Sequence, residues 1–213
     1  MKWKRIPKEN SNQPVSGKYS DWKQLLAEEG FHQCVYCALH DATFGERNFH
    51  VEHYKPKSVR RFRHLEHIFS NLFYACPVCN VFKGDSWPRA PKKDHSVEAY
   101  PNPSNCDYSD LFDVVTRTGQ IKGKFVASKF LVIRLHLNRE QLITERRIFY
   151  NDESMRKLIT FFEANETHLR EKALRGDTKA MSFILRLSDL YKEMLTLHLK
   201  YRQTPTYSAQ QLR

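Results

Sequence analysis

Cys34-Val35-Tyr36-Cys37 and, well downstream, Cys76-Pro77-Val78-Cys79-Asn80-Val81-Phe82-Lys83 are the two stretches that decide how this chain folds. Two residues between thiolates let a tight turn aim both sulfurs at one ion, at about 2.3 Å each, and two such pairs complete a tetrahedron. Four thiolates leave no open position, so the zinc they hold is structural rather than catalytic. The pairs lie far apart in sequence, so the ion pins together the ends of the segment between them. A redox role for a Cys-x-x-Cys pair is the competing reading. The fifth cysteine, Cys106, stands alone and reads as an inert thiol.

The surrounding chain has 213 residues, 40% apolar, 28% charged and 13% aromatic. That composition is globular and long enough to bury a core without disulfides. Met1-Lys2-Trp3-Lys4-Arg5 is basic with no apolar run behind it, which argues against a secretory signal and for a cytoplasmic protein. No stretch approaches the roughly 20 apolar residues of a membrane span, so no membrane is expected among its partners. The formal net charge is +11, which favours an anionic partner, with nucleic acid first and an anionic surface second.

Outward from the cysteines, the pattern predicts an α+β chain in three parts. Residues 1–19 are polar and basic, with Pro7, Pro14 and Gly17, and read as a loosely ordered arm. Residues 20–110 form the zinc-binding module. They contain a short helix over 20–30 with Ser20 as its N-cap, a short strand over 49–53, an apolar run over 68–75 and a helix leaving the second cysteine pair. Residues 88–108 carry four prolines and read as an extended connection. Residues 111–213 read as a hairpin to about 124 followed by a helical region. Asn138-x-x-Gln141 has the spacing of a capping box. Gly176 ends one helix, Asp177 or Thr178 starts the last, and the residues from Thr204 on read as frayed.

Between and just after the cysteine pairs lie His50, Glu52, His53, Asn71, Asn80 and Lys83. Phosphodiester hydrolysis needs this kind of set. An imidazole has a pKa suited to a general base near neutrality. A hard divalent cation stabilises charge on phosphate, and it prefers oxygen ligands such as the Glu52 carboxylate and the Asn80 carbonyl. Asn80 and Lys83 are spaced i, i+3 and share a helix face. On a strand, His50 and Glu52 point to one side and His53 to the other, so His50 is a competing candidate for the base.

The run Cys-x2-Cys … Glu52-His53-x-x-Pro56 … Asn71-Leu72 … Cys-x2-Cys-Asn80-x-x-Lys83 resembles the HNH nuclease family, in its four-cysteine branch, over roughly residues 31–87. The resemblance implies a zinc-stapled ββα-metal module, a hairpin followed by a helix around one catalytic divalent ion. It further implies that His53 is the general base and that Glu52 and Asn80 are ligands of that ion. Asn71 would hold the loop carrying the base, and Lys83 would lie near the scissile phosphate. Family members often place Asp where this chain has Glu52, whose longer side chain can reach an ion through a water. Asn80 stands where others have His, an oxygen-rich choice that favours Mg2+ or Mn2+ as cofactor over zinc.

Between Tyr54 and Lys93 there are nine Lys and Arg residues against two acids, Glu66 and Asp85, so much of the positive surplus lies beside these residues. Lys55, Lys57, Arg60, Arg61, Arg63, Lys92 and Lys93 are the candidates for contacting a nucleic-acid backbone, double-stranded DNA by first expectation. Tyr54 and Trp87 suit either base stacking or core packing. The C-terminal third carries no nuclease chemistry. The segment Ile133-Arg134-Leu135-His136-Leu137-Asn138, with Leu142 and Arg146, is loosely similar to one that follows the HNH core in the nuclease subunit of Septu-type antiphage defence pairs. That similarity implies an antiviral role and an ATPase subunit as partner.

Overall fold

The computed structural model describes residues 1–8, 14 and 16–203. The expected fraying beyond Thr204 lies outside the described residues, as do most of residues 9–15. The chain forms two compact units: the first comprises residues 1–115 and 119–142, the second 116–118 and 143–213. The architecture is mixed, with small antiparallel sheets, a zinc-type cysteine cluster and a helical C-terminal region.

In the first unit, a 3₁₀ turn at Tyr19–Trp22 leads into helix α1 (Lys23–Glu29), whose Trp22, Leu26 and Ala27 are buried. The predicted N-cap Ser20 lies inside the turn, and Trp22 occupies the N-cap position of α1. Strands β1 (His50–His53) and β2 (Leu72–Ala75) pair antiparallel, with His50 opposite Ala75 and His53 opposite Leu72. Helix α2 (Pro77–Lys83) follows at once. Cys76 is its N-cap, Pro77 fills the first turn where a missing N–H costs nothing, and Gly84 at φ 50° ends it. These three elements are the expected ββα unit. β2 is buried at every position, while β1 is exposed at His50 and buried at Glu52 and His53.

The arm is not loose where the structure describes its first residues. Met1, Trp3 and Ile6 are buried, Trp3 Nε1 donates to the Tyr36 carbonyl at 3.0 Å, and Ile6 N donates to the Pro103 carbonyl at 3.0 Å. Lys8 pairs with Glu29 and lies over the Phe69 ring. Composition made this segment look solvated, but its three large apolar side chains are worth about 1.5–3 kcal/mol each when buried. The small ββα unit has little core of its own to offer them, and aromatic residues from outside it fill the gap. Tyr54 Oη donates to the Tyr100 carbonyl at 2.7 Å, Tyr108 Oη donates to the Pro101 carbonyl at 2.8 Å, and Trp87 meets Tyr54 edge-on. Tyr54 is therefore a core residue and not a stacking platform.

A second hairpin, β3 (Phe112–Val115) and β4 (Gln120–Gly123), and helix α3 (Val126–Arg134) complete this unit. The Asn138 amide bonds both backbone groups of Ile121, at 2.8 and 2.9 Å, which ties the chain after α3 to β4. Helix α4 (Glu140–Leu174) then carries the chain into the second unit, where α5 (Thr178–Gln203) follows. The connection has Gly176 at φ 86°, and Asp177 Oδ1 caps α5 by accepting from the amides of Lys179 and Ala180. Among the described residues no helix is long and apolar enough to cross a membrane.

Candidate active site and metal centre

Cys34, Cys37, Cys76 and Cys79 are all buried, and their sulfurs lie within 4.8 Å of one another. The first pair sits in a tight loop in which Ala38 N donates to the Cys34 carbonyl at 2.8 Å, with Ala38 in the left-handed region at φ 56°. The second pair is built by the start of α2, where Cys79 N donates to Cys76 Sγ at 3.4 Å. An ion with four bonds of about 2.3 Å places its sulfurs about 3.8 Å apart. Cys37 Sγ and Cys76 Sγ are 3.8 Å apart. The four sulfurs thus fit tetrahedral zinc, and all five cysteines are free of disulfides.

The sequence gives no warning of the cation beside this cluster. The Arg139 guanidinium reaches Cys79 Sγ at 3.7 Å, Cys76 Sγ at 3.8 Å and Cys37 Sγ at 3.9 Å. Burial works against its charge, but the sulfurs of Cys79, Cys37 and Cys76 outweigh that cost and raise its pKa above the ordinary value. Burial also pushes the Cys34 and Cys79 thiols well up, while hydrogen bonds from the neighbouring thiols and the Arg139 charge reverse this at Cys37. Cys106 lies apart, half-buried, its thiol raised to about 11 by burial.

Helix α2 lies on the His50–Glu52 face of β1. Asn80 Nδ2 donates to His50 Nδ1 at 3.2 Å in an exposed position. One turn on, Lys83 Nζ reaches Glu52 Oε1 at 2.5 Å and donates to the His53 carbonyl at 2.9 Å. Tyr36 Oη donates to the same Glu52 oxygen at 3.0 Å. Glu52 and Lys83 are both almost completely buried. Burial pushes the Glu52 carboxyl above its usual range, against the pull of Lys83 and Tyr36. Sequence reasoning missed Tyr36, which lies between the first two thiolates and so couples that loop to the carboxylate.

The His53 ring has partners of its own. Its Nε2 is 3.0 Å from the Glu66 carbonyl, and Tyr19 meets the ring edge-on with centroids 4.8 Å apart. A carbonyl can only accept, so Nε2 carries the hydrogen and the lone pair is on Nδ1. Burial lowers the pKa of His53 to about 4, against the raising effect of the Glu66 carbonyl, so the imidazole is neutral at pH 7. Asn71, also buried, holds the loop after β1. Its Oδ1 accepts from Lys55 N at 2.9 Å, and its Nδ2 donates to the Lys55 carbonyl at 3.1 Å.

The basic candidates differ in how free their charges are. Arg60, Arg61 and Arg63 are exposed on the 3₁₀ turn Arg60–Leu65 between the two strands. Lys57 is engaged, donating to Tyr19 Oη at 2.8 Å and Glu66 Oε1 at 2.9 Å. Lys55 is half-buried with its ammonium 5.8 Å from the Phe62 ring. Lys92 and Lys93 are exposed beside a cavity of about 720 Å³ that Arg5 and Asp107 also line.

Searches of curated proteins and of solved structures found no match to this chain. A family model does match: residues 34–86, a quarter of the chain that contains all four clustered cysteines and the ββα unit, are similar to the HNH endonuclease family.

Proposed function

We propose that the chain is a metal-dependent HNH-type endonuclease that hydrolyses phosphodiester bonds in nucleic acid, double-stranded DNA in the first instance, in the reducing environment of the cytoplasm. One observation carries the reading: an imidazole at the end of β1 whose Nε2 a backbone carbonyl holds, next to Glu52, with Asn71 bracing the loop that follows.

His53 Nδ1 accepts the proton of the attacking water, which adds to phosphorus in line with the departing 3′ oxygen. The Glu66 carbonyl keeps the ring oriented while it becomes charged. Glu52 and Asn80 are the ligands we assign to a catalytic Mg2+ or Mn2+, which supplies charge stabilisation on the phosphate and the departing oxygen. The fit rests on oxygen donors. The Asn80 amide nitrogen is engaged by His50, which leaves its carbonyl oxygen for a cation, and both bonds to Glu52 fall on Oε1. Lys83 holds Glu52 and the His53 backbone together, a positioning role; its buried ammonium is engaged there rather than near the scissile phosphate as the resemblance implied. Arg60, Arg61 and Arg63, with Lys55, Lys57, Lys92 and Lys93, grip the backbone. Products carry 5′ phosphate and 3′ hydroxyl ends, the departing 3′ oxygen taking its proton from solvent water.

The test is digestion of supercoiled plasmid, linear DNA and tRNA with Mg2+, Mn2+ or chelator. The parent is expected to nick or cut with metal, and His53→Ala is expected to be inactive while keeping its fold. A His53→Ala protein that cuts as fast as the parent sinks the mechanism. A non-catalytic zinc-dependent nucleic-acid-binding module is the second reading; metal-independent binding with no cleavage favours it. A role in antiphage defence beside an ATPase subunit rests on the loose similarity of residues 133–146 alone, which the matched family segment does not reach. Cleavage that appears only when such a partner is added would support it.

A further inference from the structure

Away from the four thiolates and from His53, a second group of ligand-type side chains converges at the root of the first cysteine loop. His32, Asp41 and Glu46 each bring a ligand atom within 4.8 Å of the other two. Asp41 is 1% exposed, yet it has no lysine or arginine partner among the described residues. Its Oδ2 lies 3.1 Å from His32 Nδ1 and accepts from Tyr74 Oη at 3.0 Å. Its Oδ1 is buried without a hydrogen-bond donor. That oxygen lies 3.2 Å from His40 Nδ1, but His40 Nδ1 itself accepts from Ala42 N at 3.2 Å. Asp41 Oδ1 is thus a buried oxygen short of a partner, the kind of atom that calls for an ion or a donor beside it.

We propose that His32, Asp41 and Glu46 form a second site for a divalent transition ion, zinc by first choice, held by nitrogen and oxygen rather than sulfur. One imidazole and two carboxylates are a donor set for zinc, and tetrahedral bonds of about 2.1 Å place ligand atoms about 3.4 Å apart, close to the 3.1 Å between His32 Nδ1 and Asp41 Oδ2. The remaining closure falls to Glu46, whose exposed side chain has room to turn inward. The backbone already presents the imidazole, since Phe31 and His32 both lie in the left-handed region, at φ 56° and 55°. Asp41 and Glu46 border an open cavity of about 360 Å³ with Tyr74, which gives an ion a way in. Asp41 N also donates to the His32 carbonyl at 2.8 Å, and Gln33 bridges to His40. An ion here closes the neck of the loop whose far end carries Cys34 and Cys37, so its role is to brace that loop. The assignment does not depend on the nuclease reading.

The experiment counts zinc per chain by native mass spectrometry after saturation and gel filtration, for the native chain, Glu46→Gln and His32→Gln. The native chain is expected to carry one ion more than either variant. That extra ion should survive a thiol-specific mercurial, which strips only sulfur-held zinc. Glu46 is exposed, so its substitution leaves the fold intact and any lost ion belongs to the site. Equal ion counts in all three proteins overturn the proposal, whatever the state of the four-thiolate site.

Discussion

At His53 a backbone carbonyl does the orienting that a carboxylate does in many hydrolytic sites. The Glu66 carbonyl cannot take the proton, so it sets the tautomer without adding a full charge. Burial then lowers the pKa to about 4, below the ordinary value near 6.5. The sign follows. As pH falls below 6.5 the unfolded chain takes up the proton first, so the stability this group contributes is complete above 6.5 and drains away down through 4. Native protein should therefore lose urea resistance over that window, and His53→Gln should lose less of it. The acid limb of kcat/KM for plasmid nicking should fall near pH 4 rather than near 6.5, because that limb reports the free enzyme. Arg139 is the other residue whose chemistry is local. It sets a guanidinium against three sulfurs that together carry excess negative charge once metal is bound. Arg139→Met should weaken zinc retention by roughly 10- to 100-fold, the range for losing an outer partner of a metal site, measured by chelator competition.

At the scale of elements, the ββα unit is held at three levels. The strands pair over four positions, α2 is tied to β1 through Asn80 and Lys83, and Asn71 closes the loop between the strands on itself. The Asn71 amide replaces the backbone partner that Lys55 would have had if the ladder continued. Asn71→Ala leaves the Lys55 amide without its acceptor and should cost about 2 kcal/mol in thermal unfolding. It should also cut nicking more steeply than stability alone accounts for, because that loop begins at His53. A variant that loses stability but cleaves at the parental rate would show that the loop's position is irrelevant to the chemistry.

Over the whole molecule the surplus of positive charge implies salt-dependent association with polyanions. Each Lys or Arg that neutralises a phosphate contributes a slope of about 0.9 in log K against log salt. Arg60→Ala and Arg61→Ala, both on the exposed turn between the strands, should each reduce that slope by about 1 in fluorescence titrations with duplex DNA. Lys57→Ala should reduce it less, because Glu66 and Tyr19 already hold the Lys57 ammonium. Equal slopes for all three variants would place the backbone contacts elsewhere on the chain.

Spacing was enough to read the four-cysteine cluster, the strand ending at His53 and the helix starting at the second pair, because a metal knuckle and a short amphipathic element are local in sequence. Asn71's hold on the loop was legible only through the family resemblance. What tertiary structure alone decided are the long-range meetings. Trp3 joins the core, Arg139 reaches the thiolates, Tyr36 and Lys83 converge on one oxygen of Glu52, and the Glu66 carbonyl sets the His53 tautomer. No periodicity encodes them. Each depends on burying a charge or ring that a segment this small cannot satisfy from its own neighbours, and the partner comes from wherever packing brings one close.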